Sequence, residues 1–308
     1  MNRPAAPTAE LMQRLAAIVG PAHALTDPAA QLSHLREWRE RYAGRTAIVL
    51  KPGSVEEVSR ILALAHAHAL PVVPQGGNTG LVGGQIPIYG EILLSLSRLT
   101  RVRAVDAAGY TMTVEAGLTL AEAQAVAERV DRHVPLSLPS EGSCQIGGNL
   151  ATNAGGAGVL AYGPARQLVL GLEVVRADGR IWSGLKALKK DNSGYDLKDP
   201  FIGSEGTLGV ITAAVLKLFP KSAEKATAFA ALGALDGALA LFNLARDTAG
   251  QGLTAFEFMP RIALEFVLKH VAATLVGPAR DIRTERGWHG RAAADRRPGE
   301  GRRSGHPR

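Results

Sequence analysis

Residues 141–163, EGSCQIGGNLATNAGGAGVLAYG, constrain what this chain can fold into more than any other stretch. Gly142, Gly147, Gly148, Gly155, Gly156, Gly158 and Gly163 crowd into it, and its apolar residues recur at neither the helical nor the strand period. The segment therefore reads as a loop. Glycine at this density lets backbone enter positive φ and approach another group closely. Successive free N–H groups then form a concave nest that suits an anion such as a phosphate. A surface linker is the plainer alternative, but Ile146, Leu150, Val159 and Leu160 share the stretch with Asn149, Thr152 and Asn153, a mixture that favours a ligand loop.

Two further glycine clusters occur. PQGGNTGLVGG, residues 74–84, follows a short predicted strand, Pro71–Pro74, where an α/β unit places a phosphate site. It lacks the lysine of a Walker loop, so backbone N–H groups and the Thr79 hydroxyl are expected to do the binding. FIGSEGTLGVITAAVLKL, residues 201–218, carries Gly203, Gly206 and Gly209 into a long apolar strand. Three such clusters separated by regular elements suggest one extended ligand touched from several sides.

Between the clusters the pattern is mixed α and β. Thr8–Val19 reads as a helix, residues 27–44 as helical or irregular, and Ala47–Leu50 as a strand. Ser54 and Glu57 form a capping box that opens a helix with Val58, Ile61, Leu62 and Ala65 on one face. Strands are expected at Glu91–Leu96, Val102–Val105, Met112–Glu115, Leu168–Arg176 and Ile181–Trp182, and a helix at Leu120–Val130. Beyond Pro220, the segments Ala226–Leu232, Leu239–Arg246, Thr254–Met259 and Arg261–His270 read as strand, helix, strand, helix. These readings divide the chain into an N-terminal helical segment (1–40), a main domain (41–220), an incomplete second domain (221–272) and a tail (273–308).

The net charge of +7 invites a nucleic-acid reading, but residues 277–308 hold nine arginines against four acids, leaving +2 for the rest. That distribution argues against a dedicated nucleic-acid binder. The tail also lacks apolar periodicity, which predicts disorder. Its Arg, Gly, Ala and Pro content matches out-of-frame translation of a GC-rich gene, with a natural basic tail as the alternative. No apolar run is long enough for a membrane span. The start lacks the continuous apolar core of a secretory signal, so a cytoplasmic location is expected. Cys144 is the single cysteine and reads as a small buried thiol. A nicotinamide fingerprint at Gly156, Gly158 and Ala161 fails because no hydrophobic strand precedes it and Gly163-Pro164 follows. Trp182 and Tyr195 read as packing residues, and Lys190, Asp191 and Asn192 as either a solvated turn or a ligand-facing one.

Taken in order, PQGGNTGLVGG, VEAGLTL, GSCQIGGNLATNAGG, YGPARQLVLGLEVVRADG, KKDNSGYDL and FIGSEGTLGVIT resemble the FAD-dependent D-2-hydroxyacid dehydrogenases over about residues 35–270. That group includes D-lactate, D-2-hydroxyglutarate and glycolate-oxidising enzymes, and the wording is nearest the D-2-hydroxyglutarate branch. The resemblance implies an α+β fold. A two-subdomain FAD-binding domain of the PCMH or vanillyl-alcohol-oxidase type would be followed by part of a second α/β domain.

It also implies that Pro74 and Gln75, then Gly76, Gly77, Asn78, Thr79 and Gly80, with Gly83 and Gly84 beyond, wrap the pyrophosphate. Pro139, Gly142, Ser143, Gly147, Gly148 and Asn149 would follow the flavin and its ribityl chain, with Thr152, Asn153 and Gly156 nearby. Glu205, Gly206, Gly209, Val210 and Ile211 would close the other side. With no histidine in either of the first two loops, non-covalent FAD is expected, and no metal ligand is assigned. Implied partners are a small 2-hydroxyacid and an electron acceptor, either a quinone or an electron-transfer flavoprotein. The family's H-x-G-D-G-N-x-H-like run is absent from residues 220–308, where His270, His289 and His306 have different neighbours. No catalytic residue is therefore assigned, and a catalytically incomplete FAD-binding remnant stands as the alternative.

Overall fold

The computed structural model describes residues 7–271. The tail expectation, with Trp288, His289 and His306, falls outside them. Two units are distinguished: one comprises the chain through Ala223 together with Leu241–Glu257, the other Glu224–Ala240 and the chain from Phe258 onward.

The first unit holds two subdomains. In the first, β1 (Ala24–Leu25), β2 (Val49–Leu50), β3 (Val72–Gln75) and β4 (Ile92–Ser95) form a sheet in the order β1-β2-β4-β3, with β2, β4 and β3 parallel. Helices α1 (Ala9–Val19) and α3 (Val55–Ala67) cover it, burying Leu15, Val19, Val58, Ile61 and Leu62 against Ile48, Leu50, Ile92 and Leu94. The sequence dictates these starts. Thr8 accepts from the Leu11 N–H, and Ser54 accepts from the Glu57 N–H. Glu57 reaches back to the N–H of Gly53 rather than Ser54, a capping box displaced by one residue. Between them α2 (Pro28–Leu35) is capped by Asp27.

The second subdomain is a five-stranded antiparallel sheet in the order β5-β6-β10-β8-β9. Its strands are β5 (Val102–Asp106), β6 (Thr111–Glu115), β8 (Val169–Val175), β9 (Ile181–Gly184) and β10 (Val210–Lys217). One face, with Met112, Val114, Leu172 and Ala214, packs on Leu120, Ala123 and Ala127 of α4 (Leu120–Glu128). A short separate pair joins β7 (Arg132–His133) to β11 (Phe219–Pro220), which nothing in the sequence pattern marks.

The other face carries charge. Glu115 and Glu173 both stand opposite Ala213 of the central strand, so their side chains share one side. Arg101 and Arg103 bond the Glu115 carboxylate at 2.8 and 3.3 Å, and Arg103 also reaches Glu173 at 2.9 Å. A β-bulge inserts Thr212, fully buried, whose hydroxyl donates to Glu173 at 2.9 Å. Burial alone would raise the Glu115 pKa. The side-chain and backbone donors of Arg101, with the charge of Arg103, outweigh it and hold the pKa below the ordinary value.

Two expectations need correction. The glycine-rich stretch is not wholly irregular: Ile146–Ala151 forms α5, and Val159–Tyr162 a single turn, α6. Ile146 and Leu150, one turn apart, are both buried, and that tertiary contact overrides the poor propensity of Gly147 and Gly148. Further on, α7 (Leu235–Ala249) and α8 (Arg261–His270) form where helices are expected, but Ala226–Leu232 and Thr254–Met259 are not strands. A strand exists through its ladder, and neither run has a partner among the described residues. No described helix is long and apolar enough to cross a membrane.

Candidate functional site

Strand β3 ends at Gln75, and the first glycine cluster leaves its carboxyl end. Gln75 is almost fully buried and fastens the loop base. Its side-chain Oε1 lies 2.6 Å from His34 Nδ1, and its side-chain NH2 donates to the carbonyls of His34 and Gln85. Burial lowers the His34 pKa; the Gln75 bond opposes that shift and the charge of Lys51 adds to it, so the ring is neutral at pH 7. A neutral ring donates to Gln75 from Nδ1. Asn78 sits at φ +53° and donates to the carbonyls of Ser33 and Arg36, tying the loop to the end of α2. With the side chains so committed, the backbone stays open. The N–H groups of Gly76, Gly77, Asn78, Thr79 and Gly80 meet no protein acceptor among the described residues.

The second cluster is pressed against the first. A Cβ on Gly77 would lie 1.9 Å from the Ser143 carbonyl oxygen, so only glycine permits this approach. Residues 144–147 run beside 116–120, held by Ile146 N–H to Leu118 (2.9 Å) and Gly147 N–H to Ala116 (2.8 Å). The third cluster hangs on α5 through Gly203 N–H to Leu150 (3.1 Å) and Glu205 N–H to Ala151 (2.9 Å). Arg166, which the motif reading passed over, buttresses it by donating to the carbonyls of Asp199 and Ile202.

Residues of all three clusters line one open cleft. Pro74, Gln75, Gly76, Gly80 and Gly84 line it from the first cluster, and Gly147, Gly148 and Thr152 from the second. Glu205, Gly206, Gly209, Val210 and Ile211 line it from the third. The remaining expected residues, Gly77, Asn78, Thr79, Gly83, Pro139, Gly142, Ser143, Asn149, Asn153 and Gly156, are not part of its wall. Some of these have structural tasks instead. Asn153, at φ +49°, accepts from the Arg166 N–H, and Asn149 is buried with its amide 3.5 Å from Cys144 Sγ. Cys144 is buried, as expected.

Val82, Gln85, Leu96 and Ala151 also line the cleft and were not anticipated. Gln85 carried a signal, a polar residue closing a glycine loop; it donates to Asn78 and to the Gly80 carbonyl. Tyr195 corrects the packing expectation, being 93% exposed, whereas Trp182 stacks on Phe201 at 5.6 Å. Lys190, Asp191 and Asn192 are exposed and lie outside regular structure. Asp191 pairs with Lys186 at 2.9 Å and accepts from the Ser193 N–H, and these bonds lower its pKa.

The arrangement suits a long anionic ligand: a run of unpaired N–H groups, of which Gly76 and Gly80 line the cleft, lies beside an apolar wall at Leu96, Val210 and Ile211. A dinucleotide with a pyrophosphate centre fits that donor set. The comparisons agree. Residues 46–184 match the FAD binding domain family. The chain is 43% identical over 254 residues to the mitochondrial D-2-hydroxyglutarate dehydrogenase of Danio rerio, covering 82% of this chain and 48% of that one. It is 40% identical over 244 residues to a D-2-hydroxyglutarate–pyruvate transhydrogenase of Saccharomyces cerevisiae, covering 79% and 49%. The chain thus spans about half the length of the curated relatives it matches.

Among solved structures, an alkyldihydroxyacetonephosphate synthase shares the fold with a TM-score of 0.63 at 24% identity, over 71% of this chain and 42% of that one. Residues 46–184 thus carry the FAD binding domain fold, and over the aligned region the chain is similar to the D-2-hydroxyglutarate dehydrogenases.

Proposed function

We propose that this chain is the flavin-holding part of an FAD-linked oxidoreductase acting on a D-2-hydroxyacid, with D-2-hydroxyglutarate the first substrate to try. The observation that carries the reading is the unpaired N–H run from Gly76 to Gly80 beside the cleft wall at Gly147 and Gly148. Those N–H groups bind the phosphates, the glycines let backbone approach the ligand closely, and Val210 and Ile211 keep water from one wall. FAD held there without a covalent bond supplies the acceptor for the hydride leaving the hydroxyl-bearing carbon. The substrate class is supported by the names of the two relatives above. A quinone or an electron-transfer flavoprotein then takes the electrons.

A second reading, a domain that binds FAD without oxidising a hydroxyacid, is favoured by one observation. Residues 220–308 contain no H-x-G-D-G-N-x-H-like run, the pattern on which the resemblance would place the substrate-binding and catalytic groups. Hydride removal also needs a base on the substrate hydroxyl and a cation on its carboxylate. Anaerobic addition of D-2-hydroxyglutarate to the FAD-loaded chain decides between them. Bleaching of the oxidised-flavin bands by this acid but not its L-enantiomer is the result expected of the oxidoreductase. Bands that persist with both acids, and with D-lactate, establish the binding-only reading.

A further inference from the structure

Two loops of the first subdomain, residues 36–45 and 78–90, expose six large apolar side chains: Trp38, Tyr42, Leu81, Val82, Ile88 and Tyr89. Single exposed apolar residues are ordinary on a protein surface, whereas a group of them marks a contact face. The loops are joined at three points. Asn78 donates to the Arg36 carbonyl at 2.7 Å, and the Arg45 N–H donates to the Pro87 carbonyl at 2.8 Å. The Tyr42 ring lies against Gly83, 2.7 Å from where a Cβ would sit.

The first loop is folded around its own anion. Glu37 is buried, and its carboxylate accepts from the N–H groups of Arg39 (2.6 Å), Arg41 (2.5 Å) and Tyr42 (3.4 Å). With that carboxylate turned inward, Trp38 stands 79% exposed in the turn between exposed Arg36, Arg39 and Arg41, and Arg45 is exposed farther along. None of the four guanidinium groups is in an ion pair among the described residues. Glu40 is the one exposed acid of this loop, and residues 78–90 carry no charged side chain. The face is therefore apolar and basic together.

That combination suits a membrane surface. Indole and phenol rings settle at the headgroup level, aliphatic side chains enter the acyl boundary, and arginines meet anionic headgroups. Anchors of protein interfaces sit instead in well-packed pockets, where Leu and Val are under-represented, so exposed Leu81 and Val82 favour lipid. We propose that residues 36–45 and 78–90 form a docking face for an anionic bilayer surface. Val82 is 69% exposed and also lines the cleft, so this face borders the cleft mouth. An acceptor dissolved in the bilayer, such as a quinone, then meets the cleft where the chain touches lipid. That consequence rests on the flavin reading above; the docking itself does not.

The test sediments the full chain with vesicles of phosphatidylcholine containing about one-third phosphatidylglycerol. The expected result is binding that weakens about 5-fold or more in Trp38→Ala, and likewise in the double variant Arg39→Ala with Arg41→Ala. Because the arginines of residues 277–308 also attract anionic vesicles, a second readout follows Trp38 itself. Trp182→Phe with Trp288→Phe leaves it the single tryptophan. Its emission should shift to the blue on these vesicles and be quenched by brominated acyl chains. Vesicles that carry the chain down while Trp38 emission stays unchanged overturn the proposal, since the attachment then lies elsewhere. A chain that remains in solution also overturns it, and is what a protein partner for this face predicts. Neither readout involves the cofactor, so failure here and failure to bind FAD are separate results.

Discussion

A Gly148→Val chain is expected to melt at the wild-type temperature and yet take up no FAD. Gly148 lies in α5 and lines the cleft, and a Cβ built on it meets nothing within 4 Å. In a helix, valine for glycine is close to neutral or slightly favourable, so the empty fold loses little. The added methyl groups project into space that the account reserves for the cofactor, and a loss of at least about 100-fold in affinity is expected, on the order of 3 kcal/mol. Gly77 makes the contrast. A Cβ there collides with the Ser143 backbone rather than with ligand, so substitution at Gly77 damages fold and binding together. Equal FAD affinity in Gly148→Val and wild type, measured by equilibrium titration, places the cofactor somewhere else.

The second large effect concerns the charged face of the five-stranded sheet. Glu115→Ala is expected to lower stability by about 2–4 kcal/mol, read by urea denaturation at pH 7. Glu115 is buried and receives Arg101 and Arg103, so its removal leaves a half-buried guanidinium, Arg103, with Glu173 alone. The estimate sits below a fully buried pair because Arg101 is mostly exposed, its side chain 70% accessible. The pH dependence follows from the direction of the shift. The Glu115 pKa is lower folded than its reference value of 4.5, so its contribution is complete above that value and fades as pH falls through the folded pKa. The gap between wild type and Glu115→Ala should therefore narrow from pH 7 to pH 3. A gap that is constant or wider at pH 3 would show that the carboxylate charge is not what stabilises this face.

Much of the fold was legible because local chemistry and tertiary environment agree. Ser54 caps the helix it was expected to open, and the apolar face at Val58, Ile61, Leu62 and Ala65 is the buried one. The three glycine clusters suggested a shared site through composition alone, and residues of all three line one cleft. Elements set by distant contacts were not legible. α5 forms inside a glycine-rich run because Ile146 and Leu150 are drawn into a core built from Leu118, Leu120 and Leu172. The bulge at Thr212 depends on the register between β8 and β10, which no local pattern encodes.

At the site, sequence reasoning found the loops but could not sort backbone donors from braces. Asn78 and Asn153 look like ligand residues in a motif, yet their side chains tie loops to α2 and to Arg166.

The central claim is that the glycine clusters of this chain form an FAD site, and the direct measurement is a visible spectrum after loading. The chain is mixed with excess FAD, separated from free cofactor by gel filtration, and scanned from 300 to 600 nm (roughly the oxidised-flavin range). The account predicts flavin bands that travel with the protein at about one cofactor per chain, and that are released on denaturation because no covalent bond holds them. A protein peak that carries no flavin, from a chain whose circular dichroism shows it folded, would contradict it.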